Sequence, residues 1–259
     1  MRSLSLALAL ALAAGCARAP VERVEWTTMG TIAAVQTRGA SSPATVEAVR
    51  RAFDNLERLL NAHNPESELS RLAPLPEDEI LARCDEAMRP CYETAFRLMR
   101  ETNGAFNPRW RGPDKLDLGA IAKGFALDLA EAELKNAEAP LGADDALLDL
   151  GGNLKACSGS WNVGIYAPED AGGTGKAITL TPGNACATSA EYARGKHIYD
   201  GRTGLAVSND LLSVTVVHPR SAMLADGLST VMFILGREEG EAFLKARYPE
   251  AKAIWQIRR

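Results

Sequence analysis

From Ser42 onward apolar residues recur at helical spacing, with Val46, Val49, Phe53, Leu56 and Leu60 on one side of a helix that Ser42 can cap and Pro43 can open. That helix should end near His63. Ahead of it, residues 26 to 37 read as two strand-like runs interrupted at Met29, Gly30 and Thr31. A second helix is predicted from Pro90 to Thr102, stopping at Asn103 and Gly104 and delivering the chain into an Ala-Phe-Asn-Pro turn. Leu116 and Leu118 then alternate with Asp117 as at the end of a half-buried strand. Gly119 allows a close turn, and Ile121, Phe125, Leu127 and Leu129 supply a helix running to about Asn136. Beyond Pro140 the pattern changes to short strands at residues 147 to 150, 161 to 165, 177 to 180 and 212 to 217, separated by glycine-rich breaks as in hairpins. Residues 223 to 235 suit a buried helix, residues 238 to 248 another, and residues 253 to 257 a last strand. Helices packed on a mainly antiparallel sheet make this an α+β chain.

The N-terminus follows different rules. Arg2, an apolar run from Leu4 to Leu12 and small residues up to Cys16 read as a secretion signal, too short to span a bilayer, which needs about 20 apolar residues. The Ala-Ala-Gly-Cys end looks like a bacterial lipobox, with Ala13 in place of the more usual Leu, which would make Cys16 the lipidated first residue of the mature protein. The expected organisation is a signal peptide at 1–15, a lipid-anchored linker at 16–25 and one folded domain at 26–259. Such a chain would sit in the cell envelope, held to the membrane by its lipid and facing the periplasm or another extracytoplasmic space.

That compartment permits disulfides among Cys84, Cys91, Cys157 and Cys186 without specifying them. Cys84 with Cys91 is the favoured bridge if residues 85 to 90 form a loop, since Pro90 suits the start of a helix better than its interior. On one continuous helix the two would stand about 10 Å apart, too far to join. Buried free thiols fit the sequence equally well. The formal net charge is -4 and no cluster of lysine or arginine follows the pattern of a nucleic-acid backbone, so nucleic-acid binding is disfavoured.

Chemistry concentrates at residues 116 to 128, where a carboxylate, a glycine turn and Lys123 meet at a helix start. Unpaired N–H groups and a lysine there suit an anion, although such a turn taken alone reads more readily as a packing feature. Only three histidines are present, His63, His197 and His218, and neither a Ser-His-Asp arrangement nor a zinc-type cluster is apparent. Asp226 and Thr230, one helical turn apart, present hard oxygen atoms on one face and suit magnesium.

Met-Gly-Thr at 29 to 31, SELSRL at 67 to 72, NGAFNP at 103 to 108, LDLGAIAKGFALD at 116 to 128, LLDLGGN at 147 to 153, ATSAEYARGKHIYDGRTG at 187 to 204 and LADGLSTVMFILG at 224 to 236 occur in one order. In that order and spacing the chain resembles the ApbE family of FAD:protein FMN transferases, from about Trp26 to near the C-terminus. The resemblance implies a T-fold-like, single two-lobed domain and a magnesium-dependent transfer of FMN from FAD to a threonine or serine hydroxyl, with release of AMP. The implied partners are acceptor flavoprotein subunits of membrane redox complexes. Phosphoryl transfer of this kind depends on positioning and charge neutralisation, which accounts for the missing nucleophile.

By the same resemblance the backbone carbonyl of Ala120 joins Asp226 and Thr230 at the metal. Met29, His63, Ala105, Phe106, Asn107, Asp117, Lys123 and Tyr199 fall where the family lines its FAD pocket. His197 is the candidate general acid or base, with Asp226 as the metal-bearing catalytic carboxylate. Gly151, Gly152 and Asn153 are expected to shape the pocket wall. The family commonly has Tyr at His63, Asp at Asn107, Gly at Ala190 and a longer insert between Tyr192 and Gly195. The loss of the phenol ring at His63 is expected to open the pocket to water. Two other functions use the same residues: an FAD pyrophosphatase giving FMN and AMP, and a lipid-anchored FAD-binding protein.

Overall fold

The computed structural model describes residues 20–39, 42–136, 145–168, 175–192 and 195–258. The expected signal peptide and Cys16 lie outside the described residues. β1 (Val21–Thr28) and β2 (Thr31–Arg38) form a hairpin closed by Met29 (φ 50°) and Gly30 (φ 68°), the two left-handed residues of a tight type I′ turn. The segment expected to be linker up to residue 25 is therefore structured from Val21. Its alternating valines and charged residues continue the strand, with Val21 opposite Arg38 and Glu25 opposite Ala34.

The chain continues through α1 (Pro43–Leu60), α2 (Glu68–Leu72), α3 (Glu77–Arg83), α4 (Arg89–Glu101) and, after a loop, α5 (Ala122–Asn136). Then come β3 (Asp145–Leu150), β4 (Asn153–Ser158), β5 (Trp161–Gly164), β6 (Ala177–Leu180), β7 (Ala185–Ala190), β8 (Tyr199–Asp200), β9 (Leu205–Ala206), β10 (Leu211–His218), α6 (Ala222–Arg247) and β11 (Lys252–Ile257). Seven strands make one open sheet in the order β1-β2-β3-β4-β7-β10-β11, antiparallel at every pairing, with no closure into a barrel.

α1, α5 and α6 pack together on this sheet. Leu148, Leu150, Ala187, Val214 and Val216 contribute to that core. Leu147, Leu154, Ala156 and Cys186 instead join Trp161 and Leu180 of the β5–β6 hairpin in a second cluster. A strand covered on both faces loses the alternation of polar and apolar residues, which is why β3 reads as a nearly continuous apolar run.

The expected helices and strands are present within a few residues, apart from four differences. Leu116 and Leu118 are buried around a half-buried Asp117, as their alternation requires, yet the segment pairs with no strand. Between the first two predicted helices stand α2, capped by Ser67 accepting from Ser70 N, and α3, whose first turn carries Glu77, Asp78 and Glu79 at the positive end of the helix dipole. β4 and β7 were not predicted, since runs such as Ala-Cys-Ala-Thr-Ser-Ala carry little strand signal outside their pairing. The break between the last two predicted helices is a kink inside α6 at Gly236 (φ 75°, ψ 178°).

The four described cysteines are free thiols, so the Cys84–Cys91 bridge does not form. Cys84 closes α3 and Cys91 is fully buried in the first turn of α4. Burial pushes the Cys157 and Cys186 thiols up to about 12 and raises Cys91 further, which keeps all three protonated and poor nucleophiles at neutral pH. His218 is also buried, with Nδ1 accepting from the backbone N–H of Arg220 and of Ser221, and desolvation holds its pKa below the ordinary value.

Candidate functional site

α5 and α6 cross at their N-terminal ends, and the crossing builds one corner of a cleft of about 660 Å³. A Cβ added to Gly124 would lie 2.1 Å from the carbonyl oxygen of Ala222, so only glycine lets the two backbones approach this closely. Asp226, 4% exposed, accepts from the Gly124 backbone N–H at 3.0 Å through Oδ2. The Lys123 ammonium stands 3.5 Å from the same oxygen and donates to the Gly119 carbonyl at 3.2 Å. The anion at the start of α5 is thus the protein's own Asp226, which takes a donor that the sequence had left for a ligand.

Thr230 follows one turn later. Its hydroxyl lies 3.3 Å from Ser189 Oγ, which bonds Ser229 Oγ at 2.9 Å, and Ser229 donates in turn to the Asp226 carbonyl at 2.8 Å. Asp226, Thr230, Ala120 and Lys123 all line the cleft. Among the described residues no donor is bonded to Asp226 Oδ1, and no cluster of three His, Cys, Asp or Glu side chains gathers anywhere. Among the described residues the corner offers the Asp226 carboxylate and the hydroxyls of Thr230 and Ser189, with the Ala120 backbone in the same lining, a sparse set of hard oxygen atoms.

The same cleft has an aromatic wall. Tyr199 stacks on Trp110 with centroids 4.1 Å apart and planes 13° from parallel, and the Arg111 guanidinium lies 4.7 Å above the Trp110 ring. Asp117 ties this wall to the α5 turn by accepting from Gly119 N at 2.9 Å and from Trp110 Nε1 at 3.3 Å, with Arg111 Nε at 3.4 Å. Those bonds leave further lone pairs for a ligand N–H. Gly201 docks the β8–β9 turn onto the loop after α4: its N–H donates to the Ala105 carbonyl at 2.9 Å, and a Cβ there would meet Asn107 at 2.3 Å.

Phe106, Asn107, Asp117, Lys123, His197 and Tyr199 meet at this cleft, as do Gly151, Gly152 and Asn153 on its wall. His197 is exposed, and since a carbonyl can only accept, its 2.7 Å bond to Gly195 requires a proton on Nδ1, so that in the neutral ring Nε2 is the acceptor. Met29, His63 and Ala105 do not line the cleft. Met29 packs against the core from the β1–β2 turn, and Ala105 is fully buried beneath Gly201. His63 is exposed in the turn after α1, where its backbone N–H bonds Asn61 Oδ1. Trp110 escaped the sequence reading. Its signal was a large aromatic between two arginines, seven residues before Asp117.

A family model described as the ApbE family matches residues 29–113 and 110–255. The chain belongs to the ApbE family. A FAD:protein FMN transferase of Treponema pallidum (strain Nichols) is 35% identical over 162 residues, covering 54% of this chain and 43% of that protein. One of Vibrio cholerae serotype O1 is 27% identical over 314 residues and covers 95% and 91% of the two chains. The chain spans less than half the length of the first curated relatives it matches, and nearly all of the Vibrio protein. The apo crystal structure of a Pseudomonas stutzeri flavinyl transferase superposes with a TM-score of 0.75 at 22% identity over 95% of this chain and 93% of that one, which shows a shared ApbE fold.

Replacing Lys123 by Ala is expected to weaken binding of a phosphate-bearing ligand about tenfold, because the substitution removes the cleft cation that also braces Asp226 and the Gly119 turn. Flavin fluorescence titration with FAD measures this. An unchanged affinity would make Lys123 a brace of the corner alone.

Proposed function

We propose that this chain transfers FMN from FAD to a threonine or serine hydroxyl of an acceptor flavoprotein, with magnesium, releasing AMP. The observation that carries the reading is the cleft whose lining brings the Asp226 carboxylate, beside Lys123, together with Thr230, Ala120 and the stacked Trp110 and Tyr199. Magnesium binds few protein oxygens and completes its shell with water and substrate phosphates, so the sparse donor set fits it, and the unbonded Asp226 Oδ1 supplies the charged ligand. A bound magnesium ion would neutralise pyrophosphate charge and polarise the phosphorus under attack.

The remaining work falls to the chain. Lys123 adds a cation for the pyrophosphate. Trp110 and Tyr199 offer flat apolar surface for a ring system, and Asp117 can accept from a ring N–H or ribose hydroxyl. His197, with Nε2 free to accept, is placed in the cleft lining to take the proton of an incoming hydroxyl. Among the described residues no cysteine competes as nucleophile, since burial raises each thiol's pKa and keeps it protonated.

The deciding experiment incubates the protein with FAD, magnesium and a candidate acceptor, and follows AMP together with the acceptor's mass. A gain of one FMN on the acceptor supports transfer. Free FMN and AMP without acceptor labelling would establish a pyrophosphatase, and neither product a binding protein.

The N-terminal reading extends this to location: Cys16 is proposed as the lipidated first residue of the mature protein, holding the enzyme at an extracytoplasmic membrane face where flavoprotein subunits of redox complexes are its partners. A Cys16→Ser variant should be released from the membrane or left unprocessed. An unmodified mature N-terminus elsewhere, seen by mass spectrometry, would overturn it.

A further inference from the structure

Lys155 lies on β4 with no exposed surface, outside the cleft lining, and its ammonium meets three oxygen atoms: the Arg220 carbonyl at 2.6 Å, Asp128 Oδ1 at 3.1 Å and Glu131 Oε2 at 3.2 Å. Three donors thus find three partners. Asp128, one turn beyond Gly124 on α5, also accepts from Ser221 Oγ at 2.8 Å, Ala222 N at 2.8 Å and Met223 N at 3.0 Å. Lysine and carboxylate together hold residues 220 to 223, the entry and first turn of α6.

Each helix start is therefore capped by a carboxylate from the other helix. Asp128 of α5 satisfies the first N–H groups of α6, and Asp226 of α6 satisfies Gly124 N of α5. Orphan N–H groups and the positive end of the dipole favour an anion at both places. The two bonds differ in what else they do: Asp226 faces the cleft, whereas Asp128 is locked to a buried lysine.

We infer that Asp128 and Lys155 are positioning residues for the metal corner, fixing the first turn of α6 against α5 so that Asp226 and Thr230 stand beside the Ala120 carbonyl. The inference rests on the proposal that this corner takes a divalent cation. A buried ion pair contributes little stability relative to a well-packed apolar replacement, and its attested use is to select one geometry. Here the geometry selected is the crossing that carries both ligand side chains.

The test uses the full chain with Asp128→Asn, which keeps an acceptor but removes one of the two carboxylate charges on Lys155, and Ser221→Ala, which removes one bond to Asp128 and the cap on Leu224 N without stranding a buried charge. Binding of Mn2+ is followed by electron paramagnetic resonance with FAD present, alongside the Mg2+ dependence of turnover. Outer-shell partners of metal ligands typically change metal affinity 10- to 100-fold. Asp128→Asn is expected to weaken Mn2+ binding and raise half-saturating Mg2+ about tenfold, with the rate at saturating Mg2+ largely kept and FAD affinity without metal unchanged. Ser221→Ala should move the same way by less, and it decides the matter alone if Asp128→Asn does not fold. Unchanged Mn2+ affinity in a folded variant with a lowered melting temperature would reduce the network to a stabilising role and overturn the inference, provided Asp226→Ala loses the ion. If the wild type binds no Mn2+, the metal reading itself falls and takes this inference with it.

Discussion

Asp226→Ala should abolish magnesium-dependent turnover, with a loss of about 10³-fold or more, because it removes the charged donor of the corner and metal-borne charge stabilisation amounts to several kcal/mol. The substitution also takes a hydrogen-bond acceptor from Gly124 N and the carboxylate beside Lys123. A modest fall in melting temperature should accompany the loss, from one unsatisfied buried N–H costing about 1–3 kcal/mol. The check is turnover across a magnesium titration, with circular dichroism to confirm the fold. Wild-type activity with the same metal requirement would remove Asp226 from the site.

Gly124→Ala should be severely damaging for the addition of one methyl group. The new Cβ would fall 2.1 Å from Ala222 O and 2.7 Å from Met223 Cα, both backbone atoms, so no side-chain rotation relieves the clash. α5 and α6 must separate, which costs at least the roughly 1–3 kcal/mol typical of overpacking and breaks the Gly124–Asp226 bond. Thermal melting and metal-dependent turnover should both fall. In a chain where alanine at mid-helix is normally preferred to glycine by about 1 kcal/mol, a stabilised Gly124→Ala variant would show that the helices do not approach as described.

The sequence disclosed what periodicity and local chemistry can carry. Long amphipathic segments such as α1 and α4 were readable from their apolar spacing, and the Met29-Gly30 interruption marked a hairpin turn. Helical spacing put Asp226 and Thr230 on one face of α6, and both line the cleft. What stayed hidden depends on contacts between distant segments. Nothing near Gly124 announces that its N–H belongs to Asp226, 102 residues on, and nothing near Trp110 announces its stack on Tyr199. β4 and β7 become strands because their neighbours offer ladders, and Val21 to Glu25 because β2 does. His63 is the opposite case: its position in the motif order put it with the ligand-lining residues, whereas the turn after α1 leaves it exposed and outside the cleft lining.

The sheet order has a consequence for how the protein comes into being. β2 lies beside β3, with Ala33 opposite Leu150, so the N-terminal hairpin cannot find its neighbour until more than half of the chain has been made. Closing loops of that size carries an entropic cost before any contact repays it, and such topologies fold slowly. During that interval β2 presents an unpaired ladder edge and the apolar Ala33 and Val35 to whatever is near. A chain wired this way benefits from being kept unfolded until its last strands are available, and its yield should be governed by the delay between synthesis and folding more than by the stability of the finished molecule.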